Sequence, residues 1–165
     1  MNQNRSRGFT LIELLVVIAI IGVLSAVVLA SLNTARTKGS DAAINSDLQS
    51  ARTQAEIYYD GTGVNKYNSD GTTGLASAAC AATANTVFAE TVVASAITGA
   101  ITANGGTAAN VSRCAVASSG ATYAIAIQSK VTTGNWFCID STGASKTLTV
   151  ATPALGGAGA VAACP

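Results

Sequence analysis

The chain contains no histidine, only two prolines, and no methionine beyond Met1. Without imidazole there is no near-neutral general base, no proton shuttle and no histidine-based zinc site. Charge is scarce too: 10% of residues are charged, nine basic against eight acidic, for a net +1. That balance offers no clustered positive surplus for gripping phosphates, so no nucleic-acid partner is expected. The scattered cations Arg113, Lys130 and Lys146 read as a solvated face. Aromatic residues are only 5%, yet 49% of residues are hydrophobic, so the apolar character comes from Ala, Val, Ile and Leu. There is no Gly-x-Ser-x-Gly elbow and no phosphate-binding Gly-rich loop, so neither an enzyme nor a cofactor is expected. At 165 residues the chain is sized for one ordinary domain with a modest core.

What is present is concentrated at the front. Residues 1–8 are polar and basic, with Arg5 and Arg7 and no acid, and an apolar run to Ala30 follows, broken only by Glu13. From Leu14 to Ala30 the run reaches the minimum length of a membrane-spanning helix, about 17 to 25 residues. Arg5 and Arg7 precede it and the next basic residue is Arg36, which puts the N-terminus on the cytoplasmic side. Three readings compete: a secretory signal peptide, a plain single-pass anchor, and an anchor trimmed at its cytoplasmic end. The run is long for a signal peptide, and Glu13 fits one badly. A carboxylate this close to the hydrocarbon costs on the order of 2.5 to 3.5 kcal/mol, so it either snorkels to the interface or asks for a partner cation.

The segment Arg7-Gly8-Phe9-Thr10-Leu11-Ile12-Glu13, followed by an apolar helix, resembles the prepilin leader of type IV pilins and the related type II secretion pseudopilins. The resemblance covers the chain through about Ala30. It implies that a prepilin peptidase cuts between Gly8 and Phe9 and methylates the new amine of Phe9. It also implies that Glu13 pairs with the N-terminal amine of a neighbouring subunit during assembly, matching a charge that would be costly alone. The partners implied are other pilin subunits in a homo-polymer, the peptidase and an inner-membrane assembly platform. The precursor would sit in the bacterial inner membrane, and the product would be a cell-surface pilus or a periplasmic filament. The alternatives are a secretion pseudopilin and a non-polymerising single-pass surface-binding protein. One departure is Ala30, which stands where many members have Pro; Gly22 is then the remaining weak point of the helix.

Beyond the apolar run, Ile44, Leu48, Ala51, Ala55 and Tyr58 or Tyr59 recur at helical spacing, so the helix is expected to continue with one apolar stripe. A spine of about 50 residues and roughly 75 Å follows, with Gly39-Ser40 as a candidate bend. Asp60-Gly61-Thr62-Gly63 ends it; Asp60 and Asp70 lack calcium-loop spacing. A short helix is expected over Val87–Ala94, with Asn104-Gly105-Gly106 as a stop, then strands at Val111–Ala117, Ala121–Lys130, Asn135–Asp140 and Thr147–Ala151. In the second of these, Tyr123, Ile125 and Ile127 share a face that would cover the helix stripe. The fold expected is α+β, pilin-like: a long N-terminal helix with a small antiparallel sheet on its second half. The division is a leader at 1–8, a transmembrane and filament-core helix at 9–32, and the helix continuation with an extracytoplasmic head at 33–165.

Cys80, Cys114, Cys138 and Cys164 all lie beyond the membrane helix, at spacings of 34, 24 and 26 residues, which suit disulfides and not a metal. Three pairings are open. Cys80 with Cys114 and Cys138 with Cys164 is favoured if the strands form a meander, since Cys114 and Cys138 would then lie about 9.6 Å apart, two strand spacings. The sequon Asn110-Val111-Ser112 is a short motif that arises often by chance.

Overall fold

In this computed structural model the described residues are 8–156 and 161–165. The basic residues 1–7, which make up most of the expected leader, and residues 157–160 of the Gly/Ala-rich tail lie outside them. Helix α1 spans Leu11–Asp60, 50 residues, without interruption at Gly22, Ala30 or Gly39-Ser40. The chain divides between Arg36 and Thr37 into two compact units.

In the second unit, α1 buries the stripe expected of it: Ile44, Leu48, Ala51, Ala55 and Tyr58. The helix closes on Gly61 and Gly63, whose N–H groups donate to the carbonyls of Ile57 and Tyr58 at 3.0 and 2.7 Å. The strands are β1 (Leu75–Ala78), β2 (Ser112–Val116), β3 (Tyr123–Gln128), β4 (Asn135–Asp140) and β5 (Ser145–Thr149). They form one five-stranded antiparallel sheet in chain order. Its helix-facing side brings Cys114, Val116, Tyr123, Ile125, Ile127 and Ile139 into one core with the α1 stripe. The opposite side is also buried: Ala115, Ala124, Ala126, Trp136, Cys138 and Leu148 pack with Leu155, Ala162 and Cys164 of the C-terminal segment. In β3 period-two alternation therefore separates the large Tyr123, Ile125 and Ile127 from the small Ala124 and Ala126, and not buried from exposed residues.

Two local expectations shift. The helix expected over Val87–Ala94 is instead a 3-10 turn at Val87–Ala89 followed by α2 over Thr91–Asn104. Glu90 causes this, because its carboxylate accepts from the N–H groups of Val92 and Val93 at 2.7 and 2.9 Å and so starts a new helix. Gly105, with φ of 80°, ends α2 where the sequence marked a stop. The last strand begins two residues early, at Ser145, because Asp140 folds the preceding turn by accepting from Thr142 and Ala144. Strand β1 and the one-turn α3 (Ala108–Val111) had no periodic signal to announce them.

Two glycines are set by close approach. A Cβ on Gly120, already at φ +72°, would fall 2.0 Å from Oδ1 of the buried Asn68, and one on Gly99 of α2 would fall 2.8 Å from the carboxylate of Asp47 on α1. Asn68 also donates to the carbonyls of Thr73, Ala117 and Ser118, tying the loop after α1 to the β2–β3 turn. Leu48 sits at the centre of this packing, 1% exposed. Leu48→Ala is expected to cost about 2 to 5 kcal/mol, measured by denaturant unfolding of the full chain in detergent.

Candidate assembly segment and the locked head

The N-terminal site begins outside the helix. Gly8, Phe9 and Thr10 precede α1 with no regular structure, and Phe9 is 89% exposed. Glu13 lies in the first turn, where its Oε2 accepts from the backbone N–H and the Oγ1 hydroxyl of Thr10, both at 2.8 Å. The Glu13 N–H returns a bond to Thr10 Oγ1 at 3.2 Å. This reciprocal pattern is a capping box: Thr10 is the cap, Glu13 is the third helical residue, and two amides with no intrahelical acceptor are satisfied together. The sequence signal for it is Thr10-x-x-Glu13 directly ahead of an apolar run.

Past the cap, the large apolar side chains from Leu11 to Leu32 are all exposed, and the helix is apolar and long enough here to cross a membrane. An unbroken apolar surface around the whole helix circumference is untenable in water and requires lipid or other helices around it. Arg5 and Arg7, on which the expected orientation rests, are outside the described residues.

The cysteines form Cys80–Cys114 and Cys138–Cys164, with Cα separations of 4.9 and 5.9 Å. Strand β3 lies between Cys114 on β2 and Cys138 on β4, and the two residues belong to opposite faces of the sheet. One bridge therefore fixes the loop before α2 to the helix side, and the other fixes the chain end to the outer side. Around the second bridge, Lys146 Nζ donates to the carbonyls of Cys164 and Pro165 at 3.2 and 3.3 Å. Arg113 lies 5.7 Å over the Trp136 ring and donates to the carbonyls of Ala109 and Ser112. These two cations are thus engaged within the head. The sequon serine is engaged as well: Ser112 is buried, accepts from Cys80 N–H and donates to the Ala108 carbonyl.

Asp140, which in the sequence is only the end of an expected strand, organises this end of the head. It is 1% exposed, with Oδ1 accepting from Thr142 Oγ1 at 2.6 Å and from the N–H groups of Thr142 and Ala144, while Oδ2 accepts from Cys164 N–H at 2.9 Å. Burial opposes its charge, but these bonds outweigh burial and hold its carboxyl below the ordinary range. Asp70 is likewise lowered, by bonds from Thr73 and Thr72 within its own turn, which uses the carboxylate locally. Among the described residues no group of His, Cys, Asp or Glu is arranged to hold a metal.

A family model described as the prokaryotic N-terminal methylation motif matches residues 3–29. The chain is also similar to the "Type IV wide pilus major component PilA4" of Thermus thermophilus, at 43% identity over 56 residues. That overlap is 34% of this chain and 43% of that protein, so the chain spans less than half the length of the curated relative it matches. No solved structure matches the chain.

Replacing Cys138 and Cys164 together by Ser is expected to cost about 2 to 4 kcal/mol and to shift Trp136 emission to the red as the tail leaves the outer face. The Asp140 contribution runs with pH as a lowered carboxyl requires: complete above the unfolded value near 3.9 and lost as pH falls through the lower folded value. Acid titration of the unfolding midpoint should show this loss, and Asp140→Asn should remove that part of the acid limb.

Proposed function

We propose that this chain, whose N-terminal methylation motif and pilin relative support its assignment to the type IV pilin family, is the structural subunit of a type IV pilus-like filament. The observation that carries the reading is the segment from Leu11 to Leu32, apolar and exposed on every side, with Glu13 as its single charge. Such a helix suits two environments in turn, a bilayer before assembly and a bundle of like helices after it.

In this reading prepilin peptidase cuts between Gly8 and Phe9, which lie outside the helix and exposed, and methylates the amine of Phe9. Removal of residues 1–8 takes away Arg5 and Arg7 and turns the side-chain balance from +1 to −1. Glu13 accepts the N-terminal ammonium of a neighbouring subunit as helices stack, since a charge among apolar helices is tolerated when matched. The leader stays cytoplasmic, the inner-membrane platform extracts subunits, and the disulfide-bonded head faces the oxidising side.

Filaments sheared from native cells should give an intact mass for a chain that starts at N-methylated Phe9 and carries two disulfides. A chain still starting at Met1 would sink the reading. Glu13→Ala should enter the membrane at least as well as the parent chain yet lower filament yield by about tenfold or more.

A further inference from the structure

We propose that Thr10 is a positioning residue for Glu13, serving as the internal partner of its carboxylate while the precursor is alone in the membrane. The inference rests on the membrane-inserted precursor of the preceding section and goes beyond it. The filament reading supplies a cation for Glu13 only once a second subunit has arrived. Among the described residues of the lone chain no cation lies against Glu13, and a carboxylate among apolar side chains without partners is costly.

The hydrogen bonds at the start of α1 answer that problem. The Thr10 N–H and hydroxyl both donate to Glu13 Oε2 at 2.8 Å, replacing two of the water contacts that the carboxylate gives up. Helix geometry helps, because side chains tilt toward the N-terminus. The same fold-back that makes the cap therefore carries the carboxylate toward the polar end of the chain and toward the positive end of the helix dipole. Both bonds from Thr10 fall on Oε2. A neighbour's ammonium can then be accepted at Oε1 without dismantling the cap, so the carboxylate is satisfied before assembly as well as after it.

A cap that only stops fraying makes a different prediction. Gln serves in a capping box as Glu does, so losing Thr10 would then be equally harmful beside either residue. An internal partner for a charge matters only while the charge is there. The discriminating quantity is thus the coupling between the two positions.

The full-length precursor, synthesised in the presence of phosphatidylethanolamine and phosphatidylglycerol vesicles, can be scored for membrane insertion by protease protection of the head. We expect Thr10→Val to lower the inserted fraction by about fivefold, Thr10→Ser to match the parent, and Thr10→Val to change nothing in the Glu13→Gln background. Thr10→Val inserting like the parent overturns the proposal, as does an equal loss in the Glu13→Gln background. Failure of the parent chain itself to insert would overturn the membrane reading along with it. Filament formation plays no part in this assay, so a failure of the filament reading alone would leave its result standing.

Discussion

The head is organised on one stripe of α1. Ile44, Leu48, Ala51, Ala55 and Tyr58 recur every three to four residues, and against them the sheet lays Tyr123, Ile125, Ile127 and Ile139. Ala51 and Ala55 are fully buried, so the large side chains of β3 fill the space that the small residues of the helix leave. The same reciprocity lets α2 approach α1 at Gly99, where a side chain would meet the Asp47 carboxylate. The few aromatics of the chain concentrate in this head, where Trp136, Tyr123 and Phe88 are the largest fully buried side chains and Tyr67 packs against both Tyr59 and Tyr123.

A sheet buried on both faces needs a cover on each, and this chain has one long helix to offer. The C-terminal segment supplies the second cover, with Leu155, Ala162 and Cys164 against Trp136 and the alanines of β2 and β3. A segment with so little apolar area would hold such a position weakly on burial alone. The Cys138–Cys164 bridge, the Asp140 bond to Cys164 N–H and the Lys146 bonds to the last two carbonyls add covalent and polar restraint at the chain end. The other bridge does the same for the irregular stretch ahead of α2, on the opposite face.

At the other end of the chain the governing fact is a single carboxylate in an apolar run. A carboxylate is costly there, and the bonds that Thr10 makes to it are purely local. Within the family reading, assembly then adds a partner to a carboxylate that is already satisfied. The helix beyond it stays intact at Ala30 and Gly22 alike, as expected where no proline removes a hydrogen-bond donor.

The sequence by itself determined whatever local periodicity and chemistry control: the apolar run, the stripe on α1, the turn residues between strands, and the segment from Gly8 to Glu13. Those features repeat along the chain and need no distant partner to be read. Tertiary structure alone decided the rest. β1 has no alternation and exists because β2 offers an open edge. Asp140 looks like a turn residue until the chain end arrives to donate to it, and the faces to which Cys114 and Cys138 belong follow from the register across β3. Pairing, burial of a charge and coverage of a second sheet face are all contacts between residues far apart in the chain, and they are fixed only when the whole head packs.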